Sequence, residues 1–220
     1  MGMKKLSIVV LISGNGSNLQ SIIDAVEAKQ INGQITAVIS NNADAYGLER
    51  AKKHNIDQQV ISHKSFTCRE DFDHALSQKL THLNPDIIVL AGFMRILGSA
   101  LIQAFERKIL NIHPSILPSY KGLNTFQRAI DNDEKEHGVS IHIVTPELDD
   151  GPVILRGRYP ILTGDTASSL QGKGHRLEHK MYSKVLRWLG QGDLQINADT
   201  MIFQGKLLER PIEFEDNETS

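Results

Sequence analysis

LSIVVLISGNGSNLQ, residues 6–20, is the stretch whose reading decides the fold. Leu6-Ser7-Ile8-Val9-Val10 is a nearly continuous apolar run, the pattern of a strand covered on both faces. It breaks into Gly14-Asn15-Gly16-Ser17-Asn18 and restarts with Leu19, Ile22, Ile23 and Val26 on one helical face. Strand, glycine loop and helix together make a phosphate cradle. Glycines let backbone N–H groups approach an anion, and the helix adds its partial positive end. A dinucleotide fingerprint needs a third glycine where this chain has Leu19. Nothing resembles the G-K-[ST] of a triphosphate loop. A single phosphomonoester is the preferred ligand, with a tight capped turn as the plain structural alternative.

Working outward, strands are expected at Leu6–Ser13, Ile35–Ser40, Val60–Ser62, Ile87–Ala91 and Ile109–His113. Helices alternate with them at Leu19–Lys29, Ala45–His54 and Arg69–Leu83, then near Thr125–Asp131. After Val139 the pattern changes to strands at Val139–Thr145 and Pro152–Pro160, joined by a turn at Glu147–Gly151. A long helix over Ala167–Leu189 and a hairpin within Leu194–Leu207 follow. This order predicts an α/β fold: a doubly wound, mainly parallel sheet, with antiparallel strands and a long helix in the C-terminal half. Ligands of such sheets sit beyond the carboxyl ends of the strands.

The 220 residues suit one large domain. A net charge of −2 gives no reason to expect a nucleic-acid partner. Cys68 is the only cysteine, which leaves no disulfide framework or cysteine-based zinc site and fits a reducing, cytoplasmic location. No apolar run approaches the ~18 residues of a membrane span, and the N-terminus has no signal-peptide pattern.

The stretch 110–118, LNIHPSILP, carries the chemistry. Asn111 and His113 stand two apart on a strand, so they share a side, and Pro114 ends the strand and fixes the imidazole's direction. An amide donor beside an imidazole suits the oxyanion of an acyl transfer. Glu147-Leu148-Asp149-Asp150-Gly151 ends another strand and supplies a carboxylate for proton transfer. The three have no metal-ligand spacing, and no metal is expected.

Taken together, SGNGSNLQ (13–20), LAGFMRIL (90–97), LNIHPSILPSYKG (110–122) and ELDDGPV (147–153) resemble the glycinamide ribonucleotide formyltransferases of the folate-dependent formyltransferase superfamily. The resemblance runs from Ile8 to about Trp188 and implies a Rossmann-like formyltransferase fold. It implies Asn111, His113 and Asp149 as the catalytic trio. Gly16, Ser17, Asn18, Leu19 and Gln20 would hold the ribonucleotide phosphate, and Glu178 the glycinamide. Met94, Arg95, Ile96 and Leu97 would form one wall of a folate pocket, Thr145, Pro146, Glu147 and Leu148 the other, with Arg69 at the mouth near the glutamate tail. The implied co-substrate is 10-formyltetrahydrofolate and the acceptor is glycinamide ribonucleotide, with no metal, nucleic acid or membrane partner, in a monomer or homodimer.

One domain is expected over 1–212, with a phosphate-binding half (1–110) and a catalytic, folate-binding half (111–212), then a flexible tail (213–220). Two positions depart from the family. Asn124 and Phe126 stand where a loop histidine is frequent, and Gly172-Lys173-Gly174 makes the helix before Glu178 glycine-rich, which implies local mobility. Formyltetrahydrofolate hydrolysis by the same trio and non-catalytic nucleotide sensing are the competing readings. A Met-tRNA formyltransferase is expected to add a nucleic-acid-binding domain and a basic excess.

Overall fold

In the computed structural model, which describes residues 4–215, the run from Leu6 to Ile12 is β1, the axis of an eight-stranded sheet. β1 pairs in parallel with β2 (Gly33–Ser40) on one side and β4 (Ile87–Leu90) on the other. β3 (Gln58–Val60) extends the sheet beyond β2, and β5 (Ile109–His113) runs parallel to β4. β6 (Glu136–Ile143) then reverses direction against β5, and β7 (Val153–Pro160) is antiparallel to β6.

Side chains of β1 alternate between two apolar clusters, which is why the run is apolar throughout. Ile8, Val10 and Ile12 face a core shared with α1 (Ser17–Glu27), α2 (Tyr46–Lys53) and α6 (Ala167–Gln191). Val9 and Leu11 face the opposite core, built with α3 (Arg69–Leu83) and α4 (Ser99–Ala104). The chain leaves β1 toward β2 and later returns to its other flank as β4, so the loops after β1 and β4 diverge from one crevice.

Several boundaries differ from expectation. α1 begins at Ser17 because Gly16 adopts a left-handed φ of 73° that turns the chain directly into the helix. β3 lies two residues earlier than expected and β6 three residues earlier. α4 was not expected. The C-terminal hairpin is a separate three-stranded antiparallel sheet, β8 (Leu194–Ile196), β9 (Met201–Phe203) and β10 (Lys206–Leu207). The boundary expected at 212/213 falls inside β11 (Ile212–Phe214), which pairs with β7; the rest of the expected tail, from 216 on, lies outside the described residues. No described helix is long and apolar enough to cross a membrane.

The loop after β5 is pinned from below by Ser140 of β6, which is fully buried. Its hydroxyl donates to the Ser115 carbonyl at 2.7 Å and accepts from the Leu117 N–H at 3.0 Å. Ser140→Ala leaves two buried backbone groups without partners. Urea unfolding is expected to show a loss of about 2–4 kcal/mol. A loss below about 0.5 kcal/mol would mean that the loop does not depend on this hydroxyl.

Candidate active site

Asn111 and His113 share one side at the carboxyl end of β5, where Pro114 terminates the ladder. Asn111 pairs in register with His142 of β6, and its Nδ2 lies 3.2 Å from His142 Nε2. The Nδ1 of His142 is 2.9 Å from the Ile143 carbonyl. Nδ1–H therefore donates to that carbonyl and Nε2 accepts from Asn111, the tautomer assigned from these partners. Burial pushes the His142 pKa down, favouring this neutral ring.

Asp149 sits in the β6–β7 loop with a left-handed φ of 50°. That uncommon backbone conformation turns its carboxylate inward. Its side chain is 8% exposed; Oδ2 accepts the Gly122 N–H at 2.9 Å and lies 3.4 Å from His113 Nδ1. Oδ1 is 3.7 Å from His142 Nε2. The other nitrogen of His113, Nε2, meets the Tyr120 carbonyl at 2.9 Å. The three expected catalytic residues are thus brought together, with His142 behind them.

The glycine loop is fastened on its outer side. Gly47 N–H donates to the Gly14 carbonyl, and Arg50 donates to both the carbonyl and the side chain of Asn15. Gly16 allows this approach, since a Cβ there would lie 2.8 Å from the Gly47 Cα. Asn18 Nδ2 donates to Glu178 Oε2 at 2.7 Å across to α6, while its Oδ1 is buried without a partner. Burial raises the Glu178 pKa, opposed by the Asn18 bond and by the positive pull of His175 and His113. Leu19 is fully buried, so only its backbone can face a ligand. The Gln20 amide is already engaged with Asp24, His54 and Arg50.

A cavity of about 720 Å³ opens beside the trio, with Asn111, His113 and Asp149 among its lining residues. Met94, Arg95, Ile96 and Leu97 line one part, and Thr145, Pro146, Glu147 and Leu148 another. Met94 and Ile96 are 73% and 60% exposed, far from core packing, whereas Leu97 belongs to the core. The Met94 N–H is held by Ser13 Oγ at 2.7 Å, tying this wall to the end of β1. Arg69 opens α3 beside Gly98 and lies outside the cavity lining, as do residues 16–18 and Glu178.

Sequence reasoning missed His142, whose role follows only from strand register, and the main-chain groups of Tyr120 and Gly122. His142 lies in the strand IHIV without a motif of its own. Among the described residues, no cluster of three or more His, Cys, Asp and Glu could hold a metal ion.

Comparison with known proteins identifies the family. Residues 6–186 match the family described as formyl transferase. The chain is 44% identical over 203 residues to phosphoribosylglycinamide formyltransferase of Escherichia coli (strain K12), covering 92% of this chain and 96% of that protein. It is 39% identical to part of the human trifunctional purine biosynthetic protein adenosine-3, covering 90% of this chain and 20% of that protein. The structure of phosphoribosylglycinamide formyltransferase from Coxiella burnetii superposes with a TM-score of 0.90 at 46% identity, over 96% of this chain and 100% of the other. With its glycine loop, doubly wound sheet and convergent Asn111, His113 and Asp149, the chain belongs to the formyl transferase family.

Proposed function

We propose that this chain transfers the formyl group of 10-formyltetrahydrofolate to the glycine amine of 5-phosphoribosylglycinamide, giving formylglycinamide ribonucleotide and tetrahydrofolate in purine biosynthesis. One observation carries the reading: an amide, an imidazole and a buried carboxylate converge at one side of a large cavity.

The backbone of Gly16 with Ser17 and Asn18, at the N-terminus of α1, binds the ribonucleotide phosphate. Leu19 and Gln20 contribute through the backbone of that first turn. Glu178 accepts hydrogen bonds from the glycinamide end. The folate lies in the cavity between 94–97 and 145–148, and Arg69 attracts its glutamate tail from outside.

The amine attacks the formyl carbon directly, without a formyl-enzyme and without a metal. Asn111 and protonated His113 donate to the oxyanion of the tetrahedral intermediate. Asp149 stabilises the imidazolium and, through water, moves a proton from the attacking amine to the leaving folate nitrogen. The C–N bond to the folate then breaks and its electron pair takes that proton. The protein works in the cytoplasm as a monomer or homodimer, with no nucleic-acid partner.

The direct test mixes the protein with 10-formyltetrahydrofolate, with and without glycinamide ribonucleotide, in excess chelator. Tetrahydrofolate release that requires the ribonucleotide is the expected result. Release without it means hydrolysis, and no release means a binding protein.

Asn111→Ala and His113→Ala each remove an oxyanion donor, so turnover should drop about a hundred- to a thousandfold while both substrates still bind. Single-turnover kinetics with calorimetric titration measures both quantities, and either variant within tenfold of the parent contradicts the assignment.

Glu178→Gln separates stability from binding. The folded protein holds the Glu178 proton more tightly than the unfolded chain does, because burial raises its pKa above the ordinary value of 4.5. Stability linked to this group is therefore complete below that ordinary value and declines as pH rises through the raised one. The uncharged amide keeps an oxygen for Asn18. The variant should melt higher than the parent near pH 7, with the difference fading below about pH 4.5. Loss of one or more charge-assisted bonds, ~1.5–3 kcal/mol each, should raise the KM for the ribonucleotide about ten- to a hundredfold. An unchanged KM would remove Glu178 from the binding site.

A further inference from the structure

Two glycines stand within α6 just ahead of Glu178, in different surroundings. A Cβ at Gly172 would have only the far end of Arg176 near it, at 3.9 Å. A Cβ at Gly174 would meet the Phe126 ring at 3.2 and 3.3 Å and the Tyr159 hydroxyl at 3.4 Å. Glycine inside a helix is unfavourable relative to alanine. At Gly174 that cost accompanies a close fit, and at Gly172 it does not.

The ring that fills the space over Gly174 reaches the reaction centre by two routes. Gly174 and Glu178 are four apart, so they lie on the same buried face of α6. Phe126 stands at the start of α5 (Thr125–Asp131), directly after the loop that carries Tyr120 and Gly122. Its ring packs edge-on to His137 with centroids 5.4 Å apart, and His137 packs in the same way on Tyr120 at 6.1 Å. His137 Nε2 meets the Pro114 carbonyl at 2.9 Å, immediately after His113. Phe126 also lines the cavity beside the trio.

We infer that Phe126 is a positioning residue: its ring, seated on Gly174, sets the spacing between the helix that carries Glu178 and the loop that holds His113 and Asp149. The acceptor amine and the acyl-transfer groups are thereby aligned through one size-matched contact. This inference rests on the proposed roles of Glu178 and the trio.

The test compares Gly172→Ala, Gly174→Ala, Phe126→Leu and the double variant Gly174→Ala with Phe126→Leu by thermal melting and by kcat and KM for both substrates. Gly172→Ala should melt higher than the parent with unchanged kinetics. Gly174→Ala should lose roughly tenfold in kcat, with a melting temperature at or near the parent's and a nearly unchanged KM for the ribonucleotide, because shifts well below 1 Å misalign the reacting groups. Phe126→Leu should also lose kcat, by opening a gap over Gly174. The double variant restores the combined volume and should recover to within about threefold of the parent. Parental kcat in Gly174→Ala, or a deficit that the second substitution does not relieve, overturns the inference. Should Gly174→Ala fail to fold, parental kcat in Phe126→Leu alone overturns it. Glu178→Gln run alongside separates the levels. An unchanged ribonucleotide KM there overturns the site reading and this inference with it, whereas a raised KM beside a silent Gly174→Ala overturns this inference alone.

Discussion

A carboxylate removed from water needs donors around it, and the rest of this site is arranged to meet the demand of Asp149. Burying an unpaired charge costs far more than any single contact returns. Asp149 Oδ2 is met by the Gly122 N–H and faces His113 Nδ1, while Oδ1 lies 3.7 Å from His142 Nε2, which accepts from Asn111 and gives it no hydrogen. Its donors come from the loop after β5 and from β5 itself, and β6 supplies the neighbouring His142. One desolvated group therefore requires two segments to close on it, and the left-handed backbone at Asp149 is the conformation in which they do.

The antiparallel reversal at β6 supplies the partner of Asn111. A parallel strand beside β5 would begin where β5 begins, whereas β6 runs back and sets His142 directly across from Asn111. The parallel half contributes a different feature, two loops leaving the crevice between β1 and β4. One is braced by Arg50 and Gly47 so that its glycines keep their course, and the other hangs from Ser13 through the Met94 N–H. The long helix α6 joins the halves: Glu178 meets Asn18, and Tyr182 donates its buried hydroxyl to the Leu90 carbonyl at 2.6 Å.

Elements bounded by residues with strong local rules were legible in the sequence. Pro114 ends β5 at His113, and Asn84, left-handed with φ 46°, ends α3 before Pro85. That Asn111, His113 and Asp149 would meet was expected from the family resemblance and from motifs that lie at strand ends, and their side chains do come together. β6 was misplaced because Glu136 and Gly138 open it with residues that seldom start strands, and its pairing is decided by β5 and β7. α4 has only six residues, and β11 is an edge strand of Ile-Glu-Phe that owes its existence to β7. His142, the Tyr120 carbonyl and the Gly122 N–H were invisible for a related reason. Cross-strand register and main-chain donors leave no residue-type signature. Around Gly172–Gly174, where the departure from the family pattern suggested local mobility, the helix runs unbroken from Ala167 to Gln191 with Gly174 packed under Phe126.

The central claim is spatial: phosphate loop, Glu178 and trio serve one transfer event. The measurement that meets it directly is a crystal structure of the ternary complex with glycinamide ribonucleotide and a folate analogue whose formyl-like group cannot transfer. The account predicts phosphate on the backbone of residues 16–18, the amine beside Glu178, and the carbonyl oxygen within hydrogen-bond reach of Asn111 and His113. The amine nitrogen should then lie ~3–3.5 Å from the carbonyl carbon. Phosphate bound away from that loop, or a carbonyl carbon remote from Asn111 and His113, would contradict it.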